Sequence, residues 1–129
     1  MKTRGIYWLA CLTTVLTGLN AGFFYTWSFT ITGSLDLIDP AHAITAMNAI
    51  NANIRSGWFA LIFFGSPLAL LITTGAIFSR CGSRAALWWL AAFVLIATTI
   101  IITTRVHVPM NNALAIASNT DPALSLIHI

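Results

Sequence analysis

GWFALIFFGSPLALLITTGAIF (residues 57–78), SRCGSR (79–84) and AALWWLAAFVLIATTIIITT (85–104) follow one another directly, and their reading decides the fold. The two long runs carry no charge. As helices they extend about 33 Å and about 30 Å, enough to cross a hydrocarbon core of about 30 Å. Lipid offers the backbone no hydrogen bonds, so each run must satisfy its own N–H and C=O groups as a helix. The six residues between them contain Gly82 and two arginines and suffice only for a tight turn. The result is a membrane hairpin, with Trp88 and Trp89 at the level of one interface.

A third uncharged run precedes the hairpin, residues 6–31, about 39 Å as a helix. The Met1-Lys2-Thr3-Arg4 start and the small residues around Asn20 also fit a cleaved signal peptide. The run continues through Phe23, Phe24, Tyr25, Trp27 and Phe29, however, longer than such a peptide needs, which favours a retained span. Composition agrees. The 129 residues are 58% hydrophobic and 7% charged, with mean hydropathy +0.87, the signature of a single integral membrane domain.

The formal charge of +3 comes from basic residues scattered singly, without the aromatic-interleaved patch of a nucleic-acid surface. Nucleic acid is therefore excluded as a partner, and membrane lipid is the expected one. Counted by side, Lys2, Arg4, Arg80 and Arg84 fall on one face of the membrane, and Arg55 and Arg105 on the other. The positive-inside rule then puts the N-terminus in the cytoplasm, with a bacterial inner membrane as the expected location. Cys11 and Cys81 have no disulfide or metal spacing and read as two unpaired thiols.

Between the first span and the hairpin, residues 32–38 read as a loop. Asp39-Pro40 then supplies an N-cap and a proline at the first helical position. The helix that follows, about 40–55, is too polar to span and should lie at the interface or extend the next span outward. It carries an apolar stripe of Ala43, Met47, Ile50 and Ile54 beside a stripe of Ile44, Asn48, Asn51 and Arg55. Pro67 in the second span should kink it and free the Phe63 carbonyl, as a packing kink or as room for a ligand. After the third span comes RVHVPMNN, 105–112, where Pro109 can open another helix with Asn111 and Asn112 in its first turn.

This topology gathers polar side chains at one side of the bundle. In the first span Thr13, Thr17, Asn20, Phe24 and Trp27 share a face, taken as the inward one. A carboxamide as deep as Asn20 needs a partner, either a neighbouring helix or a ligand. Gly18 and Gly22 form a GxxxG pair that admits a second helix closely, including one from another copy.

No metal cluster motif, nucleophile elbow or phosphate loop occurs, and acids are too few for paired-carboxylate chemistry, so neither metal nor cofactor is expected. The remaining groups suit a planar, oxygen-rich molecule. Asn donates neutral hydrogen bonds, Arg adds permanent charge, and imidazole exchanges a proton near neutrality. The candidate catalytic residues are His107 and Arg105. The candidate substrate-binding residues are Asn20, Asn48, Asn51, Arg55, Asn111 and Asn112. For His107 and Arg105, anchoring at the headgroups is the structural alternative.

GLNAGFFYTWS (18–28), MNAINANIR (47–55), the GSP of 65–67 and RVHVPMNNALA (105–115) together resemble the anthrone-oxygenase-like family of small integral membrane proteins. The resemblance implies an all-α, polytopic four-helix membrane bundle, of which three spans are complete here. It also implies a cofactor-independent oxygenase acting on a lipophilic aromatic, anthrone-like substrate. In that scheme His107 removes a proton from the acidic carbon, and Arg105, Asn48, Asn51 and Asn111 hold the enolate while oxygen reacts. The alternative is a non-catalytic membrane component that binds a lipid or partner helix through Gly18, Gly22 and the asparagines. A transporter is disfavoured by the lack of an inverted repeat. Residues 1–123 form the expected domain. LSLIHI, 124–129, resembles a translated sequencing adapter, which would exclude His128 from any site and imply a missing fourth span.

Overall fold

The computed structural model describes residues 3–55 and 57–120, and 124–129 lie outside them. Six helices follow in order: α1 (Thr3–Thr26), α2 (Thr32–Leu35), α3 (Pro40–Ile54), α4 (Gly57–Cys81), α5 (Ser83–Ile102) and α6 (Val108–Thr120). No strand occurs among the described residues. A π-helical turn at Trp27–Ile31 joins α1 to α2, and another at Thr103–His107 joins α5 to α6. The fold is an all-α bundle, and among the described residues three helices are long and apolar enough to cross a membrane: Arg4–Leu35, Gly57–Cys81 and Ser83–Ala117.

The first and third of these are longer than the apolar runs alone predict. Residues 32–35, expected as loop, are helical. The chain after Thr104 also stays helical instead of breaking and restarting at Pro109. The π turns account for both continuations. Val108 N–H bonds to the Thr103 carbonyl, a five-residue reach, just before Pro109, which has no N–H to bond the fourth residue back. At the other turn the Thr32 N–H reaches the Trp27 carbonyl, and the Thr32 hydroxyl donates to the Ser28 carbonyl at 2.8 Å.

At 32 and 35 residues, these helices run about 48 Å and about 53 Å, well beyond the hydrocarbon thickness. Their extensions α2 and α6 project at one end, and α3 packs against both of them there. This is the cap end; the opposite end, where α4 turns into α5, is the turn end. Asp39 starts α3 as expected, its Oδ1 accepting the Ala41 N–H at 2.9 Å, with Pro40 in the first turn.

The core is a seam rather than a ball. On α4 the buried residues are Phe63, Ser66, Leu70, Thr73 and Ile77, a 3-4-3-4 spacing that keeps one stripe facing a neighbouring helix. α4 packs extensively on both α1 and α5, whereas α1 and α5 barely touch. Polar rungs set the antiparallel register of α1 on α4. The Thr13 and Thr73 hydroxyls bond at 2.8 Å, and Asn20 Nδ2 donates to Ser66 Oγ at 2.6 Å. The rungs stand seven residues apart on each helix, so both fall on the seam. The inward face read for α1 holds: Thr13 and Asn20 are buried, and Thr17, Phe24 and Trp27 half-buried.

Pro67 lies inside an unbroken α4. Leu12, Val15, Leu19, Leu61, Phe64, Leu68, Leu71 and Leu95 point away from the protein. A soluble chain would not leave such a surface bare, whereas in a bilayer it meets acyl chains. Exposed Tyr7, Trp8 and Trp88 lie toward the turn end, and exposed Tyr25, Phe29 and Trp58 toward the cap end. Two aromatic levels of this kind mark the interfaces of a membrane protein.

The hairpin turn is tighter than six residues. Helix persists through Cys81 and resumes at Ser83, leaving Gly82 alone to reverse the chain at φ 86° and ψ 172°. Only glycine occupies that region without strain. A Cβ at Gly82 would meet nothing within 4 Å, so Gly82→Ala costs backbone strain without steric clash. The expected loss is about 1–3 kcal/mol, measurable as a shifted denaturation midpoint in detergent followed by tryptophan fluorescence. A midpoint equal to wild type would show that the turn relaxes freely.

Candidate functional site

The pocket at the cap end is built on aromatic residues contributed by α1 and α4. Phe23 and Phe59 approach to 4.5 Å between ring centroids, and Phe59 stacks on Phe63 at 5.3 Å. Phe24 meets Phe63 at 6.2 Å, and Trp27 lies 5.8 Å from Phe23. Aromatic pairs at such separations attract beyond their area burial, which helps hold α1 against α4 here. Above it lies a cavity of about 70 Å³, open on one side, lined by Phe23, Phe24, Trp27, Asn51, Ile54, Phe59, Thr103 and His107. A second apolar pocket of about 190 Å³ shares Phe23, Trp27 and Ile54.

Both π turns border the first cavity, through Trp27 on one side and Thr103 and His107 on the other. A π turn widens the helix locally and re-aims the side chains on it, and such turns concentrate at functional sites. Here the second one brings the His107 imidazole to the cavity rim.

The predicted polar residues separate into groups. Asn51 and His107 line the cavity. Asn111 Nδ2 donates to Asn51 Oδ1 at 3.1 Å, which fixes the carboxamide of Asn51. The Nδ2 group of Asn51 is buried without a hydrogen-bond partner. Such a group costs about 1–3 kcal/mol, recovered when a ligand acceptor meets it. Arg55 donates to Asn112 Oδ1 at 2.6 Å, a second link from α3 to α6 that does not line the cavity. Asn48 is half-buried on α3. Asn20 belongs to the α1–α4 seam, where its Oδ1 has no partner. Arg105 is exposed on the π turn, away from the cavity lining, with no ion pair or side-chain hydrogen bond among the described residues.

Phe23, Phe59 and Thr103 escaped the sequence reading. The signal for the rings was present, since Phe23, Phe24 and Trp27 close one span while Phe59 and Phe63 open the next. Antiparallel spans bring those two ends together. Among the described residues no group of three His, Cys, Asp or Glu could hold a metal ion, and both cysteines are free thiols. Gly18 and Gly22 face open space, so packing within the chain does not use them.

Fold and site together define a small helical membrane protein with an aromatic-walled, partly polar pocket at one end of its bundle. Compared with protein-family models, curated proteins and solved structures, the chain matches none.

Proposed function

We propose that the cap-end pocket binds a planar, carbonyl-bearing lipophilic aromatic and that the protein oxidises it with dioxygen, without a cofactor. The observation that carries this reading is that Asn51, whose Nδ2 is buried without a partner, lines an aromatic-walled cavity together with His107. The resemblance to the anthrone-oxygenase-like family points the same way. About 70 Å³ admits only the edge of a ring system, so the open side leaves the remaining rings among lipid. Asn51 donates to the carbonyl oxygen and stabilises it as an enolate, while His107 takes the proton from the ring methylene. Dioxygen then oxidises that carbon by four electrons. One oxygen atom becomes the new carbonyl, and the other leaves as water with the two hydrogens.

In this reading the cap end faces away from the cytoplasm of a bacterial cell, because Arg4, Arg80 and Arg84 cluster at the turn end. The test is oxygen uptake with a model anthrone by the detergent-purified protein. Uptake well above the uncatalysed rate, with the quinone formed mole for mole, is expected; uptake at the background rate would refute the oxygenase reading.

A second reading, a non-catalytic membrane component, is favoured by the internal pairing of Asn51 with Asn111 and Arg55 with Asn112. These bonds clamp α3 on α6 with or without a substrate. Gly18 and Gly22, turned outward, offer a face for a second copy. Background uptake together with a detergent-stable dimer would select this reading.

A further inference from the structure

A different cavity lies at the turn end, between the first turns of α1 and the last of α4. It measures about 430 Å³ and is lined by Ile6, Tyr7, Ala10, Ile77, Arg80 and Cys81. Its wall is apolar along Ile6, Ala10 and Ile77, and a guanidinium stands at its mouth. Arg4, Arg80 and Arg84 are all exposed at this end. None of the three has an ion pair or a side-chain hydrogen bond among the described residues, whose only carboxylates, Asp36 and Asp39, lie at the cap end. α5 begins at Ser83, two residues beyond Cys81, and its N-cap Gly82 makes no side-chain hydrogen bond, so the first N–H groups of α5 also lie at this surface.

We propose that this groove is a binding site for an anionic phospholipid, with the phosphate on Arg80 and an acyl chain along Ile6, Ala10 and Ile77. Two features select that occupant. The apolar wall continues toward the depth of the hydrocarbon, where a free oxyanion has nothing to fill it. Arg80 at the mouth has no carboxylate near it among the described residues, and a zwitterionic headgroup would bring its own competing cation. Arginine suits the role because its planar fork donates two parallel bonds to phosphate. Basic pockets between membrane helices recognise anionic headgroups in this way. The site is independent of the oxygenase reading.

Native mass spectrometry of the detergent-purified protein, titrated with palmitoyl-oleoyl phosphatidylglycerol or phosphatidylcholine, tests it. Phosphatidylglycerol should bind at least about fivefold more tightly, the scale of one basic residue at an anionic surface. Arg80→Gln should remove most of that preference, whereas Arg84→Gln, with the same charge change outside the groove, should keep it. Ala10→Trp fills the groove without touching charge and should weaken both lipids. Equal loss in Arg80→Gln and Arg84→Gln would reduce the effect to diffuse attraction and overturn the site. Equal affinity for the two lipids would overturn it as well, and so would displacement of the lipid by millimolar inorganic phosphate.

Discussion

Replacing His107 by alanine is expected to slow anthrone-dependent oxygen uptake by about 10²- to 10⁴-fold, the range contributed by a positioned proton acceptor. His107 lines the cavity from the second π turn, and no other residue of the lining carries a side chain able to take a proton from carbon. Asn51→Leu removes the one side-chain N–H donor of the lining that is buried without a partner and should cost about 10²- to 10³-fold, as loss of an oxyanion donor does. Asn111 acts one step back, through its bond to Asn51 Oδ1. Asn111→Ala should therefore weaken turnover less than Asn51→Leu. Arg105 stands off the cavity, so Arg105→Ala should leave turnover close to wild type. If folded His107→Ala turned over at the wild-type rate, the assignment of the base would be wrong, whatever the other variants did.

The second large effect is on stability. Leu70 is 1% exposed at the centre of the α4 seam, and Leu70→Ala should cost about 2–5 kcal/mol, because a packed helix interface closes only partly over the void. Asn20→Leu makes an instructive contrast. It removes the bond to Ser66 but also an oxygen that is buried without a partner. Hydrogen bonds between membrane helices average about 0.6 kcal/mol, so the net change should stay under about 1 kcal/mol. Denaturation by sodium dodecyl sulfate, followed by tryptophan fluorescence, measures both variants. A larger loss in Asn20→Leu than in Leu70→Ala would mean that the polar rungs, rather than packing, hold α1 on α4.

Much of this was legible in the residues. Uncharged runs of 20 residues or more have one answer in a bilayer, and a six-residue basic link between two of them permits only antiparallel pairing. Asp39-Pro40 announced α3 because cap and proline act locally, on the two or three residues after them. The inward face of α1 followed from the spacing of Thr13, Asn20 and Trp27. What escaped depends on reach. A π turn needs a single i→i+5 bond and leaves no periodic mark, so the helical continuations past Ile31 and Thr104 read as loop and as a fresh start.

The sequence by itself determined the class of protein, the three apolar helices and the end of the bundle where polar groups gather, since hydropathy and backbone satisfaction act within each segment. Only the tertiary structure decided which polar groups meet. Asn51 faces a cavity while Arg55 is tied to Asn112, and Asn20 belongs to a seam. His107 reaches the pocket, whereas Arg105, two residues away, does not. Those outcomes depend on the azimuth at which each helix packs and on the extra residue in each π turn, and a rotation of about 100° per residue turns a small shift in phase into a different partner.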